Sequence, residues 1–358
     1  MPLGVPLVWT DDHRLHEPGG EVWIGVRIPG DEVPERAQRI REALVAAGAP
    51  VVEAAAHDDE ALLFVHDAEL IEFLRTAWTR WNDAGYTDDP GQDRVVAYIF
   101  PHPGLVGELE PVVPTAASAL TGRFAFDTMT PVGPGTWTAA RAAVDCALTA
   151  CDLVLRGSPA AYACTRPPGH HVTRSAYGGS CYLNNAAVAA QYLRQEGVER
   201  VAVVDLDAHH GNGAQSIFWR RSDVFTASVH VDPAAGWFPH FLGLGHEHGA
   251  GPGAWMNLNV PVPPGALDDG WMKAVEDVAL RVSEFAPDAL VVALGVDAAA
   301  ADAESPLNVT AAGFRAAGRS LGGLKLPTVV VQEGGYDLAA IGGLVLATLE
   351  GLEEGLGA

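Results

Sequence analysis

The residues best suited to chemistry lie in the stretch Arg200-Val-Ala-Val-Val-Asp-Leu-Asp-Ala-His-His-Gly-Asn-Gly213. Asp205, Asp207 and His209 occupy alternate positions there, and alternate residues of an extended chain point the same way. A carboxylate and an imidazole can therefore converge on one point. A strand followed by an ordinary polar turn is the plainer reading, but Asp-x-Asp-x-His is hard to bury unless a metal joins it. Further groups arrive elsewhere in the chain: His170 and His171 after the stiff turn Pro167-Pro168-Gly169, Asp297 after an apolar run, and Tyr336 after two glycines. Asp207, His209 and Asp297 make a set of two carboxylates and one imidazole that suits a divalent ion such as zinc, with positions left open for water and substrate. Asp297 also stands where a helix N-cap would. One of the paired histidines can take a proton from activated water and return it to a leaving amine. Asp205 and Asn212 are placed to hold the two histidines, an aspartate favouring a charged ring and an asparagine a less basic one. Tyr336 can donate a hydrogen bond to an oxyanion.

These groups meet only if several strands deliver them to one edge. Val201–Val204 read as a strand buried on both faces. Residues 3–9, Ala161–Thr165, Val224–His230, Asp288–Val296 and Pro327–Val331 read as further strands. Helices are expected over Pro34–Gly48, Ala68–Trp78, Thr136–Arg156, Asn184–Glu196 and Asp268–Phe285, with a small-residue helix at the carboxyl end. Thr10–His16 reads as a polar loop, and Asp232–Pro264 as a passage rich in proline and glycine. Such alternation predicts an α/β fold: an open, mostly parallel sheet with helices on both faces and its polar strand ends at one edge. Residues 1–358 read as one domain carrying a long loop insertion at about 81–136, of the kind that serves function or an interface.

Composition narrows the class. With 358 residues and 48% hydrophobic content the chain can bury a large core, and its formal net charge of −23 argues against a nucleic-acid backbone as partner. Cys146, Cys151, Cys164 and Cys181 lie in or beside apolar segments without metal-knuckle spacing, as expected for reduced thiols of a cytoplasmic protein. No signal peptide is apparent, and no apolar run is long enough for a membrane span.

Arg166–His171, Gly179–Asn185, Val204–Gly213, Leu294–Asp297 and Glu333–Tyr336, with the earlier Val33–Arg36 and Phe64–Asp67, together resemble the arginase–deacetylase superfamily, that is, the histone deacetylases and their bacterial relatives. The resemblance spans nearly the whole chain. It implies a zinc-dependent amide hydrolase, ferrous iron being the other metal such a site takes, with Asp207, His209 and Asp297 as ligands. It implies His171 as the principal general base and acid, His170 as its partner, and Tyr336 as the group that polarises an acetyl carbonyl. It also implies a structural potassium ion at Asp205, Asp207, His209, Ser228 and Val229. Within the superfamily, His230–Pro233, Trp237–Phe241, Gly251–Gly253 and Val132–Ala139 are similar to the bacterial acetylpolyamine amidohydrolases. For that branch the 81–136 section implies a homodimer contact narrowing the entrance, and Phe238 a wall of the substrate tunnel. Beside it lie Gly179 and Ser180, the serine standing where many relatives have Phe or Tyr, which implies a wider and more polar wall. Glu304 follows Ala303 where relatives have proline and an apolar residue, and its register puts it at the tunnel mouth; a solvated loop glutamate is the plainer reading. Asn212 replaces an aspartate, as is common in the polyamine and class II branches.

The expected activity is metal-dependent removal of an acetyl group from a small acetylated amine, above all an acetylpolyamine. An acetyl-lysine protein or an acetylated natural product is the alternative substrate. A non-catalytic binder is disfavoured by the complete ligand set and Tyr336, and an arginase-type ureohydrolase by the absence of its two-metal motifs.

Overall fold

The run Val201, Ala202, Val203 and Val204 divides between two faces. In the computed structural model, which describes residues 2–357, Val201 and Val203 join one apolar cluster while Ala202 and Val204 join another. The same division holds for Leu290 and Val292 against Ala289, Val291 and Ala293 of a neighbouring strand. A strand apolar on both sides needs cover on both, and helices provide it. Helices Ala68–Asp83, Thr136–Leu155 and Asn185–Gln195 cover one face. Helices Glu35–Ala46, Asp268–Phe285, Ala311–Gly322 and Ile341–Leu356 cover the other.

Among the described residues ten strands run in chain order as β1 Leu7–Trp9, β2 Glu21–Trp23, β3 Val26–Ile28, β4 Val51–Glu53, β5 Ala160–Ala163, β6 Val201–Asp205, β7 Val224–Val231, β8 Asn257–Val262, β9 Ala289–Leu294 and β10 Thr328–Gln332. Eight form one sheet in the order β4-β1-β5-β10-β9-β6-β7-β8, and each pairing in it is parallel. The expected open parallel sheet with helices on both faces is therefore present. β2 and β3 pair as a separate antiparallel hairpin.

Several local expectations change. Thr10–His16 is not a simple polar loop: Asp11–Leu15 is a 3-10 helix capped by Thr10, and its His13 and the following His16 are buried. The helix from Ala68 continues past Trp78 to Asp83, so the irregular section begins later than Trp81. That section contains the short helices Pro103–Val106 and Ala117–Phe124 and a bridge between Val95 and Val132. The passage Asp232–Pro264 hides β8, whose Pro261 is tolerated because β8 is an edge strand. Helices Asn212–Phe218 and Ala311–Gly322 have no counterpart among the expected elements.

Candidate active site

The carboxyl ends of the central strands supply the site. β6 ends at Asp205, which lies opposite Ser228 of β7 and Ala293 of β9. The chain then turns rather than continuing extended, so Asp205, Asp207 and His209 do not converge by strand alternation. Asp205 Oδ1 accepts from the Asp207 amide at 3.0 Å, and its Oδ2 meets His170 Nδ1 at 2.9 Å. Asp207 and His209 meet Asp297 instead, with Asp207 Oδ1 also 3.8 Å from His170 Nε2. His209 Nδ1 lies 2.9 Å from Asp297 Oδ2 and 3.2 Å from Asp207 Oδ1. Asp297 caps no helix; it sits in a turn, and its Oδ1 accepts from the Ala208 amide at 2.8 Å.

Donor atoms of Asp207, His209 and Asp297 lie within 4.8 Å of one another, and both carboxylates are fully buried. Burial, then the charge of Asp207, pushes the Asp297 carboxyl up to about 7. Burial alone would lower the His209 imidazole, but Asp207 and Asp297 raise it well above its ordinary range. One imidazole and two carboxylates at this depth fit a borderline ion such as zinc or ferrous iron better than the all-oxygen set of magnesium or calcium. The backbone leaves room for these carboxylates. A Cβ at Gly295 would lie 2.1 Å from Asp207 Oδ2, and one at Gly334 2.5 Å from it and 2.8 Å from Asp297 Oδ2.

The two adjacent histidines differ. His171 Nδ1 lies 2.6 Å from Asn212 Oδ1, and the Asn212 amide donates back to the His171 carbonyl at 3.0 Å. Burial, then the charges of His170 and His209, drive the His171 imidazole well below its ordinary range. Burial also disfavours a charged His170, but Asp207 and Asp205 outweigh it and raise that ring to about 10. Asp205 thus faces the ring that is raised, and Asn212 the ring that is lowered. Glu333 fixes the backbone of the pair, its Oε2 accepting from the amides of Gly169 at 2.6 Å and His170 at 3.0 Å.

Tyr336 is held by Asp302 and by Arg36, the last residue of the Val33–Arg36 motif, to which the sequence assigned no role. Its amide donates to Asp302 Oδ2 at 2.6 Å, and the guanidinium carbon of Arg36 stands 4.5 Å from its ring centroid. Arg36 also donates to the carbonyls of Gly335 and Glu333. Glu32 joins Arg36 Nη1 and Arg166 Nε, each at 2.8 Å, in a fully buried network with His16. Burial would raise the Glu32 carboxyl, but Arg166, His16 and Arg36 hold it well below the usual carboxylate range. Burial, partly offset by Arg36, raises the Tyr336 hydroxyl well above its ordinary value, so it stays protonated.

A cavity of about 430 Å³ opens over these groups, lined by His170, His171, Gly179, Ser180, His209, Phe238, Glu304 and Tyr336 together with Glu21, Asp31 and Trp237. The Phe238 ring stands edge-on to His171 at 4.9 Å between centroids. Gly179 has φ +59, and a Cβ there would lie 2.3 Å from His171 Cδ2. Ser180 brings a hydroxyl to this wall, 3.4 Å from Glu21 Oε1. An aromatic nevertheless approaches: Phe126, from the long insertion, stacks on Phe238 at 6.4 Å. Glu304 lines the cavity while remaining exposed to solvent. Glu21 from β2 and Asp31 beyond β3 join it, both missed in the sequence because only the hairpin's placement brings them to the rim. Burial, then Glu304, Asp127 and Asp31, pushes the Glu21 carboxyl up to about 7. Ser228 Oγ is engaged by His230 Nδ1 at 2.8 Å, and the Gly211 amide approaches it at 3.3 Å.

The sequence pattern of the histone deacetylase domain matches residues 31–352. The chain belongs to the histone deacetylase family. It is 40% identical over 347 residues to the acetylpolyamine amidohydrolase of Mycoplana ramosa, covering 97% of this chain and 99% of that protein. The crystal structure of acetylpolyamine aminohydrolase from Burkholderia pseudomallei superposes with a TM-score of 0.92 at 38% identity, covering 98% of this chain and 99% of the other. The HDA15 HD domain superposes at 0.77 with 27% identity, covering 97% and 90%. Like other histone deacetylase family members, the chain is a metal-dependent hydrolase of the deacetylase class. No helix of the described residues is long and apolar enough to cross a membrane.

Proposed function

We propose that this histone deacetylase family member removes the acetyl group from acetylpolyamines. The observation that carries the reading is the rim: Glu21, Asp31 and Glu304 line the same cavity as His170, His171, His209 and Tyr336. A chain with further ammonium groups can leave its charges at those carboxylates while its acetyl end reaches the histidines.

Asp207, His209 and Asp297 would hold the divalent ion, zinc being the best fit to their donor set and ferrous iron the second. When bound, that ion supplies a Lewis acid that polarises the acetyl carbonyl and acidifies water. His171 is neutral and, with Nδ1 directed at Asn212 Oδ1, keeps the lone pair of Nε2 free to take the proton of the attacking water. The same atom returns the proton to the departing amine. His170, charged and held by Asp205, stabilises the negative charge that develops beside it. The Tyr336 hydroxyl donates to the carbonyl oxygen as that charge forms. Phe238 and the buried walls exclude water from the acetyl end. Asp205, Asp207, His209, Ser228 and Val229 are proposed to surround a structural potassium ion. Exposed Tyr98, Leu105, Leu109 and Val112 support self-association through the insertion. The four free, buried cysteines support a reducing, cytoplasmic setting.

The test combines metal analysis with a panel of acetylpolyamines, acetyl-lysine peptides and neutral acetylated amines. About one equivalent of metal and a preference for the polyamines are expected. A preference for the peptides would sink the substrate assignment, and metal-loaded chain inactive on all three would sink the enzyme.

A further inference from the structure

Behind the histidine pair lies a second group of metal-competent atoms that the proposed reaction does not use. A ring nitrogen of His170, the thiol of Cys181 and a carboxylate oxygen of Glu333 lie within 4.8 Å of one another. All three side chains are buried, Cys181 and Glu333 fully and His170 with 3% exposure. The Glu333 carboxylate divides its work. Oε2 takes two backbone amides, whereas Oε1 has no hydrogen-bond partner among the described residues. A fully buried oxygen without a partner is costly, and fixing the Gly169–His170 turn does not require it to face the thiol and the ring. His170 Nδ1 is engaged by Asp205, which leaves Nε2, itself 3.8 Å from Asp207 Oδ1, as the nitrogen open to a further partner.

We propose that His170 Nε2, Cys181 Sγ and Glu333 Oε1 form a second, inhibitory site for a thiophilic divalent ion such as zinc or cadmium. An imidazole, a thiolate and a carboxylate match that class of ion, while magnesium and calcium require oxygen ligands. Pro168 and His170 line the active-site cavity, and Cys181 and Glu333 lie behind them. The ion therefore enters from the cavity, past a nearly closed histidine, and its onset is slow. Binding displaces the protons of the Cys181 thiol and of His170 Nε2, which leave to solvent through the cavity, and so consumes the ring nitrogen beside Asp207. Excess metal thus inhibits without displacing the ion at Asp207, His209 and Asp297, and this consequence for turnover rests on the activity proposed above.

The experiment titrates the metal-loaded chain with cadmium, following the ultraviolet cadmium–thiolate charge-transfer band and activity together. The Asp207–His209–Asp297 site has no sulfur, so exchange there gives no band. One further equivalent should produce the band as activity falls, with magnesium silent. Cys181→Ala should remove the band and raise the inhibitory concentration by about 10-fold or more, the least expected when a directly bound atom rather than an outer partner is lost. Cys181→Ser, close in size, should do the same and guards against a packing defect; Glu333→Gln should weaken the band in the presence of an intact thiol. No band at saturating cadmium, or a band that survives in both Cys181 variants, overturns the site. Inhibition unchanged in those variants overturns its link to activity. If the chain hydrolyses no acetylated amine, the proposed function fails while band and stoichiometry still decide the site.

Discussion

Replacing Glu304 by leucine probes how the rim reads charge. A substrate ammonium in a partly desolvated cleft gains roughly 1.5–3 kcal/mol from a charge-assisted hydrogen bond, which corresponds to roughly 10- to 150-fold in kcat/KM. The rim moderates that figure. Glu21 sits at about 7 because of burial and then the charges of Glu304, Asp127 and Asp31, so roughly half of it is ionised at neutral pH. Removing the Glu304 charge lets Glu21 ionise further, and the second carboxylate partly replaces the first. The single variant should therefore lose roughly 10-fold on an acetylspermidine-like substrate, and Glu304→Leu with Glu21→Gln should lose more than the product of the two single losses. A neutral acetylated amine of similar length should change little. The sign with pH follows from the raised carboxyl: it is neutral below about 7 and charged above it. The ratio of kcat/KM for the cationic over the neutral substrate should then rise between about pH 6 and pH 8, and taking the ratio cancels the titration of the histidines. Equal losses on both substrates, or a ratio flat in pH, would refute the argument.

Asp297→Ala should abolish stoichiometric metal binding and turnover while leaving the circular dichroism spectrum largely intact; a variant with full metal and full activity would remove it from the ligand set. Tyr336→Phe should cut kcat by roughly 10²–10³ with metal content unchanged, and near-normal turnover would take the hydroxyl out of the mechanism. Glu32→Gln leaves Arg36 and Arg166 buried without their shared counter-charge. It should cost roughly 3–5 kcal/mol in denaturant unfolding, and a cost under about 1 kcal/mol, as for an exposed pair, would show that the network is not what holds the Tyr336 turn.

What the sequence discloses and what it hides divide along physical lines. The helix Asp268–Phe285 is read with its observed bounds because its apolar positions recur at helical spacing and its first turn is acidic. The strands β6, β9 and β10 are legible because each is an apolar run, rich in valine, with polar groups at or soon after its end. β8 escapes because its asparagines and Pro261 look like loop, and only its place at the sheet edge permits them. At the site, the motif residues Asp207, His209, Asp297, His170, His171 and Tyr336 are visible through their types and their position after apolar strands. Glu21, Asp31 and Phe126 are not, since nothing periodic marks a loop residue that arrives from a distant hairpin or insertion. Arg36 lies on an amphipathic helix where an arginine looks solvated; it is the buried Glu32 beneath it that shows otherwise.

The carboxylate of Asp207 occupies space that Gly295 and Gly334 leave by having no side chain. Neither glycine offers a functional group, yet a mutational library would register both as intolerant, because even one methyl group would claim the volume of an oxygen. Efforts to retune the metal preference of this enzyme must therefore work through the donor atoms themselves or the cavity walls. The backbone under the donors is already at its minimum size, and evolution has no smaller residue to try.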